Sequence, residues 1–264
     1  MVIMGNEIKD KTILITGASS GIGEALARRV HSMGAQVIIT ARSTAKLERI
    51  AAELGLRTWV IPMDVADQQS VEQGIELAFK YCGKIDILVN NAGYGQFEKV
   101  ADMDIQSISE MMNVNYLGMV RCTKAVLPHM LSRRSGHIIN VASVASKLAT
   151  AKSAGYSATK HAMLGFTNAL RQELDQSGVS VSAVHPGPVR TPFFEIADPT
   201  GTYVQNVTRF MVTPEQVANA IVGLIMNPKL EAHVPRWMGW SVKALSILPN
   251  SWVNAMAVKF FSMK

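Results

Sequence analysis

No stretch limits the folds open to this chain more than residues 12–23, TILITGASSGIG. A short β-rich run, Thr12 to Thr16, meets a glycine turn without a gap. The turn opens a helix, EALARRVHSMG, with Ala25, Leu26, Val30 and Met33 at helical spacing and Gly34 as the stop. Strand, glycine loop and helix in that order predict a phosphate cradle at the edge of a parallel sheet. Gly17 permits the tight turn, Gly21 lets the backbone approach a pyrophosphate, and Gly23 lets the helix pack against the strand. Ser19, Ser20 and Ile22 complete the cradle, and the helix N-terminus turns its N–H groups and partial positive charge toward the phosphates.

The unit then repeats. A second strand, QVIIT (36–40), ends in Ala41-Arg42-Ser43, where NAD-binding sheets carry an acidic residue for the adenosine ribose. A carboxylate would repel a 2′-phosphate, whereas a guanidinium can grip it with two hydrogen bonds. Arg42, helped by Ser43 and Ser19, therefore predicts NADP(H) as the cofactor. The helix TAKLERIAAEL (44–54) leads to the strand RTWVIPMDV, which brings Asp64 and Val65 to a strand end beside the adenine. After the helix QQSVEQGIELAFKYCG, the run IDILVNNAG (85–93) places Asn90, Asn91, Ala92 and Gly93 at another carboxyl end, the edge where open parallel sheets bind ligands. Four such units with no break in composition argue for one continuous doubly wound sheet, an α/β fold of Rossmann type.

Chemistry is written between residues 137 and 160. The strand HIINVAS delivers Ser143, and Tyr156 and Lys160 follow at i and i+4 as a helix begins. That spacing stacks a phenol and an ammonium on one helix face, about 5–6 Å apart at Cβ. A cation one turn away favours the phenolate, which would make Tyr156 usable for proton transfer. Ser143 would hydrogen-bond a substrate oxygen beside it.

Taken together these residues resemble the short-chain dehydrogenase/reductase family, in its compact single-domain branch. The resemblance rests on TGASSGIG (16–23), Asp64-Val65, NNAG (90–93), NVNYLG (113–118), Ser143, YSATK (156–160) and PGPVRT (186–191), which occur in the family's order over roughly residues 10–192. The G-x-x-x-G-x-G spacing is the form that family uses. It implies about seven parallel strands flanked by helices and a tetrad of Asn115, Ser143, Tyr156 and Lys160. Tyr156 would be the general acid or base, and Ser143 would polarise the carbonyl. Lys160 would tune the phenol and hold the nicotinamide ribose, and Asn115 would anchor a water that relays protons to Lys160. Pro186, Gly187, Val189 and Thr191 would hold the carboxamide, and the long helical segments 104–133 and 153–176 would pair subunits into a homodimer or homotetramer. Ala158, Ala162 and Gly165 would let partner backbones approach closely there.

The segment 188–212 shows no clean periodicity and carries Phe193, Phe194, Ile196, Tyr203 and Phe210, as a substrate loop would. With Tyr94, Phe97 and Leu148 it predicts an apolar pocket wall. Residues 1–239 then form the catalytic domain and 240–264 a helical tail. From Trp240 onward the tail has Lys243, Lys259 and Lys264 but no acid, and Trp252, Val253, Met256, Ala257, Phe260 and Phe261 form an apolar stripe. Such a stripe packs on its own domain or a neighbouring subunit. Covering the pocket, or lying peripherally in a membrane interface, are the alternatives.

The remaining features exclude more than they assign. A net charge of +6 is spread without a basic run, which argues against nucleic-acid binding. Cys82 and Cys122 lie far apart without ligand spacing, as reduced thiols of an intracellular protein do. The start MVIMGNEIKDK has no signal-peptide core, and no window reaches about 18 apolar residues, so a cytoplasmic location is expected. The sequence therefore predicts an NADP(H)-dependent oxidoreductase, moving a hydride between nicotinamide and a carbonyl or secondary alcohol of an apolar ketone, 3-oxoacyl group or steroid-like molecule. The rival reading is a catalytically idle NADP(H)-binding sensor or scaffold, and the intact Ser143, Tyr156 and Lys160 speak against it.

Overall fold

The computed structural model describes residues 8–249 and 251–252, without the side chains of 245–247. Tail residues Val253, Met256, Ala257, Lys259, Phe260, Phe261 and Lys264 lie outside that range. Seven parallel strands make one sheet: β1 (Thr12–Thr16), β2 (Gln36–Ala41), β3 (Thr58–Pro62), β4 (Ile87–Asn90), β5 (Gly136–Val141), β6 (Val179–Pro186) and β7 (Glu231–Val234). Their order is β3-β2-β1-β4-β5-β6-β7, and every pairing is parallel.

Alternation along the strands explains the layers. In β1, Ile13 and Ile15 point to one core and Leu14 to the other; in β2, Val37 and Ile39 oppose Ile38 in the same way. The first core is closed by α1 (Gly21–Ser32) and α2 (Thr44–Leu54) together with α9 (Pro214–Met226), through Leu26, Val30, Ile50, Ile221 and Leu224. The second is closed by α3 (Gln68–Cys82), α5 (Gly118–Ser132) and α6 (Ala154–Glu173), through Val71, Ile75, Cys122, Val126 and Leu170. Because both faces are covered, the strands read as near-continuous apolar runs. This is the doubly wound fold that the β-α alternation predicts.

Three of the helices, α3, α4 (Ile105–Met112) and α9, are started by a side-chain cap. Asp67 accepts from Ser70 N at 2.9 Å, and Thr213 and Gln216 form a reciprocal capping box with Pro214 at the first helical position of α9. The expected 104–133 segment is α4 (Ile105–Met112) joined to α5 by one π turn, Asn113–Leu117. Residues 188–212, expected as an irregular loop, are largely helical, with α7 (Phe193–Ala197), α8 (Thr202–Val207) and a short 3-10 turn (Thr208–Phe210). The pieces are one or two turns long, too short for a 3.6 period to emerge from the sequence. α10 (Arg236–Ile247) follows β7 directly, its first turn lying before Trp240. Among the described residues no helix is long and apolar enough to cross a membrane. On the outward side of α6, Ala158 and Gly165 are exposed, and a Cβ added at Gly165 would meet nothing within 4 Å.

His137, buried on β5, gives the fold a pH limit. Its Nε2 lies 2.8 Å from Ser182 Oγ, whose own proton goes to Lys229 O at 2.6 Å, while Nδ1 is buried without a partner. A second ring proton would therefore have nothing to bond, and burial pushes the imidazole down to about 4. The unfolded chain takes up a proton near the ordinary value of about 6.5 that the folded one refuses, so stability falls as pH falls through that window. Buried His185, shifted the same way, adds to the effect. Urea unfolding at pH 7.5 and pH 5 should differ by about 2 kcal/mol from His137 alone, and His137→Gln should flatten that slope.

Candidate active site

The strand order reverses between β1 and β4, and the segments leaving these two strands diverge to leave a crevice at their carboxyl ends. The glycine loop forms one lip and residues 91–93 the other. Thr16 Oγ1 accepts from the N–H of both Asn91 and Ala92 at 3.0 Å, and Asn91 Nδ2 donates to Thr16 O at 2.9 Å and Gly17 O at 3.1 Å. The lips are thus laced together.

At Gly17 (φ +65°) a Cβ would lie 2.7 Å from Ala92 Cα, and at Gly23 it would lie 2.5 Å from Gly17 O. At Gly21 (φ +57°) it would lie 2.9 Å from Thr191 Cγ2, closing the gap across the crevice. The Ser20 side chain does not cap α1, unlike Asp67 and Thr213 at their helices. A cradle with no room for side chains at an uncapped helix start fits a pyrophosphate.

A single cavity of about 1020 Å³ runs from this cradle to the carboxyl ends of β5 and β6. Gly17, Ser19, Ser20, Gly21, Ile22, Arg42, Ser43, Asp64, Val65 and Asn91 to Gly93 all border it. So do Tyr94, Phe97, Ser143, Leu148, Tyr156 and Lys160, and beyond them Pro186, Gly187, Val189, Thr191, Phe193 and Phe194. Two expected site residues do not. Gly23 acts through packing alone, and Asn115 sits fully buried behind the wall. Asn90 is also buried beneath the surface, bonding Thr123 at 3.1 Å and Asn140 at 2.9 Å, so the strand-end position beside the cavity belongs to Asn91.

Arg42 is exposed and forms no ion pair among the described residues. Lys46, one turn further along, borders the same end of the cavity. It escaped sequence reasoning, although its i+4 spacing from Arg42 was there to be read.

The opposite end holds Ser143, Tyr156 and Lys160. Ser143 follows β5 and accepts from Ala145 N at 3.1 Å. Ser146 Oγ donates to the Ser143 carbonyl at 2.5 Å, and the fully buried His185 ring backs Ser146 at 2.9 Å. Lys160 donates from Nζ to Val141 O at 3.0 Å and stands 5.7 Å from the Tyr156 ring centre. Asn115, turned inward by the π turn, donates to Tyr94 O at 2.8 Å and Thr159 Oγ1 at 3.0 Å, and accepts from Tyr94 N at 2.9 Å. Its side chain clamps Tyr94 to Thr159.

Electrostatics correct one expectation. Lys160 was expected to bring the Tyr156 phenol down; in the protein alone, burial dominates and holds it well above its ordinary range. The Ser143 hydroxyl opposes that shift, and Tyr203 adds to it. The cause is visible in the packing: Phe97 and Phe193 edge onto Tyr156 at 5.8 and 5.6 Å, and Gly95 leaves just enough space for its ring. Burial also brings Lys160 down to about 8.

The apolar wall is wider than the sequence suggested. The expected Tyr203 packs 4.8 Å from Phe97, and beyond it Trp237, Met238, Ser241 and Val242 of α10, which the sequence did not point to, also line the cavity. The first turns of the C-terminal helix therefore border the pocket, as one of the alternatives for the tail from Trp240 expected. No local pattern announces such a contact, because it depends on where β7 ends.

Comparison with known proteins agrees with this architecture. The family model described as short chain dehydrogenase matches residues 11–200. A mouse relative, dehydrogenase/reductase SDR family member 7, is 38% identical over 213 residues, covering 78% of this chain and 62% of the relative, less than two thirds of its length. An uncharacterized oxidoreductase of Staphylococcus aureus is 35% identical over 84% of this chain and 94% of its own. Among solved structures, a serine dehydrogenase complexed with NADP+ superposes with a TM-score of 0.79 at 32% identity, covering 84% of this chain and 93% of that one. A 3-ketoacyl-(acyl-carrier-protein) reductase from Brucella melitensis complexed with NADH gives 0.79 at 28% identity, over 86% and 97%. With the seven-stranded sheet, the glycine cradle and the family model in agreement, this chain belongs to the short-chain dehydrogenase family of oxidoreductases.

Proposed function

We propose that this protein is an NADP(H)-dependent carbonyl reductase for an apolar ketone, 3-oxoacyl group or steroid-like substrate. One observation carries the reading: a single cavity joins two cations that have no carboxylate partner among the described residues, Arg42 and Lys46, to a proton donor and its companion, Tyr156 and Ser143. When bound, the nicotinamide supplies or accepts the hydride.

The chain's own residues do the rest. The glycine loop with Ser19, Ser20 and Ile22 holds the pyrophosphate, and Arg42, Lys46 and Ser43 hold the 2′-phosphate. Asp64 and Val65 would border the adenine, Asn91 to Gly93 line the cleft between its ends, and Pro186 to Thr191 would hold the carboxamide. Ser143 and Tyr156 both direct hydroxyls at the carbonyl oxygen, and Tyr156 gives it the proton. Burial keeps the Tyr156 phenol protonated, the form in which it can give a proton to a carbonyl oxygen. Phe97, Leu148, Phe193, Phe194 and Tyr203 exclude water around the reacting carbon.

Purified protein should consume NADPH with members of a panel of ketones, 3-oxoacyl thioesters and quinones, with kcat/KM for NADPH about a hundredfold above NADH. Tight NADPH binding without turnover across the panel would favour the sensor reading instead.

A further inference from the structure

From Pro199 to Pro214, and again from Ala232 to the C-terminus, the chain contains no acidic residue. These two stretches meet at the mouth of the cavity. Arg209 lies 4.6 Å over the Phe210 ring, Phe210 packs 6.1 Å from Trp237, and Lys243 stands 6.0 Å from the Trp240 ring. Trp237 and Trp240, three apart on α10, share its outer face, while Met238, Gly239 and Val242 turn inward. Trp237 is 51% exposed, Trp240 77% and Trp252 63%. Two outward indoles on one helix face, with Arg209 and Lys243 close to the same rings, form a surface that water alone does not explain.

Indole rings pair an apolar body with one polar N–H and collect where hydrocarbon meets headgroups, and cations beside them favour anionic headgroups. Arg209, Phe210, Trp237, Ser241 and Val242 also border the cavity, so the strip is continuous with the cavity's wall. We propose that the Arg209–Phe210–Trp237–Trp240–Lys243 strip docks the protein on an anionic lipid surface and turns the cavity mouth toward the bilayer. An apolar substrate then enters from the membrane without crossing water. Charge selects lipid over a second copy of the chain. Two such strips facing each other across a two-fold axis would oppose Arg209, Arg236 and Lys243 with like charges, and neither stretch offers a carboxylate to pair them.

The test needs no turnover and stands apart from the reductase assignment. Full-length protein is floated with phosphatidylcholine vesicles and with vesicles of phosphatidylcholine and phosphatidylglycerol at two to one. Binding to the anionic vesicles is expected to be about tenfold stronger, to fall at high salt, and to shift indole emission to the blue. Trp240→Ser with Lys243→Ser should lower that binding about tenfold, with NADPH affinity in solution unchanged. Absence of binding to either vesicle, binding indifferent to headgroup charge, or binding undiminished in the double variant overturns the proposal. So does light scattering that shows an oligomer which the double variant dissociates, since the strip would then be a subunit contact.

Discussion

A Tyr156→Phe enzyme is expected to lose about three orders of magnitude in kcat while still folding and still binding NADPH, since positioned proton transfer contributes about 10²–10⁴-fold. The change removes one oxygen and leaves the ring that packs against Phe97 and Phe193, so the aromatic wall stays intact. Nothing else can take over the proton. An alcohol such as Ser143 is too weak an acid to replace the phenol, and the Lys160 ammonium is turned to the Val141 carbonyl 3.0 Å away. The pH profile should identify Lys160 separately. Its ammonium is present below about 8 and lost above it, so kcat/KM for NADPH should decline as pH rises through that value. A Tyr156→Phe protein with more than a tenth of wild-type kcat would remove the phenol from the mechanism.

The second large effect lies at the other end of the cavity. Replacing Arg42 by Asp and Lys46 by Ser removes two donors for a 2′-phosphate and supplies an acceptor for a ribose hydroxyl. A charge-assisted hydrogen bond contributes about 1.5–3 kcal/mol, and at this exposed end the lower figure applies to each. Loss of both gives about 3 kcal/mol, or roughly a hundredfold fall in kcat/KM for NADPH, while NADH gains. Steady-state kinetics with the two cofactors reads the ratio directly. A double variant that keeps its preference would place the discrimination elsewhere in the cleft.

The difference between what could and could not be read from the sequence follows the range of the interactions. β1, the glycine loop and α1 are contiguous, so their order alone implied the cradle, and Tyr156 and Lys160 are one helical turn apart. The buried strands declared themselves as apolar runs because helices cover both faces. What stayed hidden involves contacts between distant segments. Ser146 bonded to His185 spans 39 residues, and the clamp from Asn115 to Thr159 spans 44. The raised phenol was misjudged for the same reason. Helical spacing gave the distance to Lys160 but not the aromatic surroundings that desolvate Tyr156, which come from residues 95–97 and from α7.

The Asn115 clamp also bears on how the protein loses activity. One carboxamide joins the segment after β4, the π turn and the start of α6, three parts of the chain that are distant in sequence. Losing that junction would release Ser143, Tyr156 and Lys160 from register. Catalytic activity serves as a reporter of cooperative folding: heat inactivation should coincide with loss of the sheet's far-ultraviolet signal, with no active, partly melted stage before it.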